Sequence, residues 1–158
     1  QIDRFMFKIN IEYPTKEEEI DILTRMDKIN TDFNIEPAVK TDEIIDSRKI
    51  VDSIHISDNI KDYIVSLVHS TRNPEKYNLN DISTLITCGA SPRATLFLSK
   101  ASKAKAFINK RPYVIPEDIR SVGKSILRHR ILLSYEAEAE NITSDEIINR
   151  LYESVPTP

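Results

Sequence analysis

The sequence predicts a mainly α-helical domain preceded by a single β-strand. Three observations support this fold class. The 158 residues contain only two glycines, which favours helices over a turn-rich sheet. Through most of the chain, apolar residues recur at helical spacing behind residues that cap helices well. Near the first residue, apolar and polar side chains instead alternate one by one, which is the period of a strand.

The predicted strand covers residues 5–13. Its dominant face is apolar and comprises Phe5, Phe7, Ile9, Ile11 and Tyr13. One strand needs partner strands, and the rest of the sequence contains no second convincing one. The chain also begins with Gln1 rather than methionine. We therefore expect these residues to be part of a longer protein that supplies the partner strands.

Six helices are predicted from capping residues and apolar periodicity. Thr15 with Glu18, and Thr143 with Glu146, have the spacing of a capping box. The clearest apolar stripe follows Ser57, and the last helix closes before Pro156. The six predicted starting points are Thr15, Thr41 or Asp42, Ser57, Ser91, Pro116 and Thr143.

Between these helices the sequence predicts irregular connections. Residues 28–40 and 73–80 are expected to be loops, and residues 53–56 a short extended connector. A short apolar cluster occupies residues 81–88.

Composition restricts the class of protein. With 40% hydrophobic and 30% charged residues the chain has a globular composition, and no apolar run approaches the ~18 residues that cross a bilayer. A secretion signal is absent, which predicts a cytoplasmic setting. The one cysteine, Cys88, cannot form an intramolecular disulfide and lacks metal-ligand spacing with any histidine. We expect a buried, inert thiol and no metal site.

The net charge of −3 gives no general attraction to nucleic acid or to anionic lipid. Lys100, Lys103, Lys110 and Arg111 still lie near one side of a predicted helix. A solvated helix face explains such a stripe, and a phosphate-binding face is the alternative.

Residues 89–94 form the most informative stretch. Ser91 is a good N-cap and Pro92 fits the first helical position, which places Arg93 in the first turn. A cation there is opposed by the helix macrodipole by roughly 0.3–1 kcal/mol. Either a bound phosphate or a nearby carboxylate could compensate for this arginine, and spacing alone favours the carboxylate.

Five blocks of sequence, taken together and in order, resemble the C-terminal part of a MoxR-type AAA+ ATPase. They lie at residues 1–5, 13–19, 89–94, 113–118 and 129–140. The resemblance implies that residues 1–13 are the last strand of an αβα nucleotide-binding core. It implies that residues 14–158 form the helical AAA+ lid domain.

The same resemblance implies roles for individual residues. Arg93 matches the sensor-2 arginine of such lids, with Ser91 and Pro92 beside it at the nucleotide. Arg4 matches an arginine that reaches towards the ATP bound by a neighbouring subunit. The implied cofactors are ATP and Mg²⁺, and the implied assembly is a ring of six copies. The implied activity is ATP hydrolysis in a chaperone-like remodelling or maturation machine, with von Willebrand A domain proteins as partners.

The sequence contains no Gly-rich phosphate loop and no Walker B element, so we expect these residues alone to be inactive. Two other functions stay open. A helical module could bind nucleic acid through the helix from Arg93 to Arg111, although the acidic net charge disfavours it. A helical protein-interaction domain without a nucleotide is the other.

Overall fold

The computed structural model describes residues 1–27 and 35–158. These residues form a mainly helical domain, as predicted. The helices are α1 (Lys16–Met26), α2 (Thr41–Ser53), α3 (Asp58–Ser70), α4 (Asn80–Ser83), α5 (Pro92–Ile108), α6 (Pro116–Leu127), α7 (Tyr135–Ala139) and α8 (Ser144–Ser154). Two short strands, β1 (Ile86–Cys88) and β2 (Leu132–Leu133), and 3₁₀ turns at Ile2–Arg4 and Pro74–Tyr77 complete the described residues.

Capping side chains set the starts of the predicted helices. At α1 the Thr15 hydroxyl accepts a hydrogen bond from the Glu18 amide at 3.3 Å, while the Glu18 carboxylate accepts from the Thr15 amide at 2.7 Å. Thr143 and Glu146 make the same reciprocal pair at α8. Each pair satisfies two amides that a helix start leaves free, so both capping-box predictions are confirmed.

The core lies between α3, α5, α6 and α8. Every residue of the predicted α3 stripe is buried, which confirms that stripe: Ile60, Tyr63, Ile64, Leu67 and Val68. Residues from the other three helices close the core, among them Leu98, Ile119, Ile126 and Ile147, each at 0% exposure.

The connection between α2 and α3 is extended, as predicted. His55 forms an isolated bridge with Tyr113 in the loop between α5 and α6. The His55 amide donates to the Pro112 carbonyl at 2.9 Å, and the Val114 amide donates to the His55 carbonyl at 3.0 Å. The predicted loop at 28–40 falls in part on residues 28–34, which lie outside the described residues.

The strand predicted at residues 5–13 does not form. A strand requires a ladder of partner hydrogen bonds, and among residues 1–27 and 35–158 the two strands pair with each other instead. The predicted apolar face is solvent-exposed, from 42% at Phe7 to 97% at Tyr13. Met6, which alternation assigned to the polar face, packs against the core. The strand prediction is therefore wrong for this structure.

The sheet that does form was missed by the sequence analysis. β1 and β2 pair antiparallel, with Ile86 opposite Leu133 and Cys88 opposite Leu132. Strands of two or three residues are too short to show a period. Cys88 lies at this small sheet rather than in the helical core and is exposed, so the prediction of a buried thiol is wrong.

The large apolar residues of the first helix face solvent. Ile20, Leu23 and Met26 are 54%, 65% and 54% exposed. In the part of the chain that the structure describes, no helix has the length and apolarity needed to span a bilayer.

Gly89 is required because two backbone segments meet there. A Cβ atom at this position would lie 2.3 Å from the Thr71 carbonyl oxygen, and the adjacent Ala90 amide already donates to the Thr71 hydroxyl at 2.9 Å. We expect Gly89→Ala to lower the free energy of unfolding by about 1–3 kcal/mol, measured by urea denaturation, because backbone atoms must move apart.

The matched control for this prediction is Gly123→Ala. A Cβ at Gly123 would meet the Tyr152 hydroxyl, which is the far end of a side chain. That atom moves more easily than backbone, so the loss should be smaller. A Gly89→Ala variant as stable as the parent chain would contradict the close-approach argument.

Candidate functional site

The candidate site is built at the N-terminus of α5. The Ser91 hydroxyl accepts a hydrogen bond from the Arg93 amide at 3.3 Å, and the Ser91 carbonyl accepts from the Ala94 amide at 2.9 Å. Pro92 is the first residue of the helix. The predicted cap is therefore confirmed, and it places the Arg93 side chain beside the positive end of the helix.

A carboxylate compensates for the charge of Arg93 in this structure. Arg93 Nη1 lies 3.0 Å from Asp3 Oδ2, and the Ser91 hydroxyl donates to the same oxygen at 3.0 Å. The Arg93 side chain is nevertheless 62% exposed. Of the two compensating groups considered for Arg93, the structure contains the carboxylate.

Asp3 is shared by two arginines. Arg130 Nε donates to Asp3 Oδ1 at 3.1 Å, whereas Arg93 donates to Oδ2. Burial by itself would raise the pKa of Asp3. Hydrogen bonds from Arg93 and Ser91, together with the positive charge of Arg130, outweigh it and hold the pKa below its ordinary value. The three side chains therefore carry two positive charges and one negative charge at neutral pH.

Arg130 is buried and holds the first residues of the chain by their backbone. Its side chain is 0% exposed. Nη2 donates to the Asp3 carbonyl at 2.8 Å and to the Phe5 carbonyl at 2.5 Å, and Nη1 donates to the Met6 carbonyl at 3.2 Å. The guanidinium also lies over the Phe97 ring, 4.9 Å from its centroid.

The two residues before Arg130 bind the same segment. His129 Nε2 lies 3.0 Å from the Phe5 carbonyl oxygen, and Arg128 Nη1 donates to the Lys8 carbonyl at 3.4 Å. Burial lowers the pKa of His129, although the Phe5 carbonyl opposes this shift. We call Arg128, His129 and Arg130 the linker clamp, because together they fix residues 3–8 against the end of α6.

The structure brings together three of the four predicted site residues. Ser91, Pro92 and Arg93 share one helix end. Arg4 is exposed, and its recorded side-chain hydrogen bond is a local one from Nε to the Gln1 carbonyl at 3.1 Å. Arg4 is next to Asp3 in the chain, but its side chain does not join the cluster around that carboxylate.

Sequence reasoning missed Asp3 and Arg130 as site residues. Both residues lie in blocks that carry the family resemblance, at residues 1–5 and 129–140. Their position in these blocks was the sequence signal that could have indicated them. Spacing could not have found their contact, since 127 positions separate the two residues.

The predicted basic stripe is partly used inside the chain. Lys103 Nζ donates to the Asp52 carbonyl at 2.8 Å, and Arg111 pairs with the buried carboxylate of Asp118 at 2.5 Å. Among the described residues, no group of three histidine, cysteine or acidic side chains is placed to hold a metal ion.

Comparisons with known proteins identify the families that the chain is similar to. Residues 80–151, which include α5, α6 and the linker clamp, match the AAA lid domain family. Over its full length the chain is 37% identical to the chaperone MoxR1 of Mycobacterium tuberculosis, of which it covers 41%. It is 32% identical, over 63% of its residues, to the protein MoxR of Methylorubrum extorquens, of which it covers 30%.

A solved structure shows the same fold. The crystal structure of a putative ATPase from Cytophaga hutchinsonii superimposes on 99% of this chain with a TM-score of 0.93 at 39% identity, and the match covers 48% of that protein. The chain thus spans less than half of the length of these relatives. Residues 80–151 thus match an AAA lid domain, and over its whole length the chain is similar to the C-terminal portion of MoxR-type AAA+ proteins.

Proposed function

We propose that residues 14–158 are the lid of an AAA+ ATP hydrolase, that residues 1–13 belong to its nucleotide-binding core, and that Arg93 binds the terminal phosphates of ATP when the lid closes. The observation that carries the proposal is the charge of the cluster. Two guanidiniums share the one carboxylate of Asp3, beside the positive end of α5. An exposed cation in such surroundings favours an oxyanion.

The geometry of Arg93 suits this role. Its contact with Asp3 uses Nη1, and a guanidinium has five N–H donors. Arg93 can therefore keep its carboxylate partner and still donate to a phosphate. A fixed donor stabilises the charge that develops on the transferring phosphoryl group.

Further parts of the proposal concern the parent protein. Arg4 is exposed, as an arginine that reaches the ATP of a neighbouring subunit must be, and this role requires a ring, for which six copies are the family expectation. Mg²⁺ accompanies ATP in this chemistry, where it is held by the phosphates, by water and by one or two protein carboxylates. Without a phosphate loop, the 158 residues alone would not hydrolyse ATP.

The machine that we propose works in the cytoplasm and remodels or matures client proteins. The relative from Mycobacterium tuberculosis is named a chaperone, which supports this class of function. Von Willebrand A domain proteins are the proposed partners.

The test is Arg93→Ala in the full-length protein. We expect the rate of ATP hydrolysis to fall about 10²-fold, as when one fixed donor to a transition-state oxyanion is removed. The melting temperature should change little, because the pair with Asp3 is largely exposed on the Arg93 side. Steady-state ATPase assays and thermal unfolding measure the two quantities.

Arg150→Ala is the matched control. Arg150 also forms an exposed ion pair, with Asp81 at 2.9 Å, but it lies on α8 away from the cluster. Its removal should leave turnover unchanged. Normal turnover in Arg93→Ala, or an equal loss in both variants, would contradict the proposed role of Arg93.

A further inference from the structure

We propose that Asp3 is a positioning residue for Arg93 and that Arg130 in turn fixes Asp3. The inference rests on the proposed function, since it concerns how Arg93 is held for its phosphate. It adds a residue from the first turn of the chain to the machinery of the lid.

Asp3 is itself held in place by Arg130. Arg130 binds both the carboxylate and the backbone carbonyl of Asp3, at 3.1 and 2.8 Å. Arg130 is in turn held by the Ile126 carbonyl of α6 and by the Phe97 ring of α5. The carboxylate of Asp3 is therefore anchored to two core helices through a side chain that has no exposed surface.

The position of the Arg93 guanidinium depends on Asp3. An arginine side chain has several rotatable bonds, and 62% of this one is exposed. In the described residues, its recorded polar side-chain contact is the one from Nη1 to Asp3 Oδ2. Ser91, the cap of α5, donates to the same carboxylate, so the helix end and the guanidinium are aligned by one group.

The position of the Arg93 guanidinium affects the rate of ATP hydrolysis. A donor that is misplaced by about 1 Å can lose as much as 10²-fold in rate, because catalysis by fixed charges depends on their position. Without Asp3 the guanidinium would sample many directions. Turnover should then fall even though Arg93 is present.

The experiment is a double-mutant cycle in the full-length protein, with Asp3→Asn and Arg93→Ala made singly and together. If Asp3 acts through Arg93, Asp3→Asn should lower kcat about tenfold in the parent protein and less than about twofold in the Arg93→Ala background. A purely structural role for Asp3 would lower kcat by the same factor in both backgrounds, and that result would overturn the proposal.

Asp3→Glu is the second variant. It keeps a carboxylate for Arg130 and moves it by one methylene, so the melting temperature should stay near that of the parent while kcat lies between those of the parent and Asp3→Asn. If Asp3→Asn does not fold, the same cycle is made with Asp3→Glu. Parent-like kcat in every folded Asp3 variant would overturn the proposal.

The cycle also separates this inference from the proposed function. If Arg93→Ala alone leaves turnover intact, the proposed function fails. If Arg93→Ala lowers turnover while Asp3→Asn does not change it, the role of Arg93 survives and only the role of Asp3 is lost.

Discussion

Replacing Arg130 by methionine is expected to lower the free energy of unfolding by about 4 kcal/mol, the largest effect among the substitutions considered. Methionine keeps the length of the side chain but none of its donors. The carbonyls of Asp3 and Met6 would lose their partner, the Phe5 carbonyl would keep only His129, and Asp3 would lose its buried counter-charge. Part of the loss will come from release of residues 3–8, which the linker clamp holds.

Two measurements check this expectation. Urea denaturation gives the free energy, and hydrogen exchange follows the Lys8 amide, which donates to the Ser125 carbonyl at 2.8 Å. We expect that amide to lose protection in Arg130→Met. Arg150→Met is the matched control, because it breaks an exposed ion pair worth about 0–1 kcal/mol. An equal effect in the two variants would mean that Arg130 does not anchor the segment.

Replacing Asp118 by alanine should lower the free energy of unfolding by about 3 kcal/mol. Asp118 is 2% exposed. Its carboxylate binds the Arg111 guanidinium with both oxygens, at 2.5 and 2.8 Å, and accepts from the Ile115 amide at 3.0 Å. Ile115 is the N-cap residue of α6 and has no side-chain oxygen that could accept a hydrogen bond. The bond from its amide to Asp118 is therefore the side-chain hydrogen bond that stabilises the start of this helix. Alanine would leave Arg111 without its counter-charge and the helix with a free amide.

The loss of folding stability at low pH gives an independent check on the role of Asp118. Burial would raise its pKa, but the Arg111 and Ile115 hydrogen bonds outweigh burial and lower it below the ordinary 3.8. A lowered carboxyl pKa contributes stability that is complete above the ordinary value and is lost as the pH falls through the lowered one. We expect Asp118→Asn to show a shallower loss of stability below pH 3.8 than the parent chain. If the stability of Asp118→Asn falls as steeply below pH 3.8 as that of the parent chain, this assignment is contradicted.

Local signals predicted most of the helical framework. The capping boxes at Thr15 and Thr143 and the stripe on α3 involve residues within a few positions of one another, where sequence spacing corresponds directly to geometry. The α5 start was predictable for the same reason. Ser91, Pro92 and Arg93 are consecutive, so their arrangement follows from the helix itself.

Contacts between distant segments could not be predicted in this way. The strand prediction failed because alternation reports a possible face and not the presence of a partner strand, and Met6 rather than its apolar neighbours meets the core. The sequence predicted only that a carboxylate or a phosphate would lie beside Arg93, not which residue would supply it. Asp3 is that partner because Arg130, which is 127 positions away in the sequence, binds the first residues of the chain at the end of α6.

The linker clamp has a mechanical consequence. Because residues 3–8 are hydrogen-bonded to the end of α6, Arg4 is attached to the same helical unit as Arg93. A rotation of that unit would move both guanidiniums through a common angle. If Arg93 and Arg4 have the roles proposed above, a rotation that brings Arg93 to its own nucleotide would also displace Arg4 at the boundary with the adjacent copy of the proposed ring, and nucleotide occupancy at one site would then affect the next.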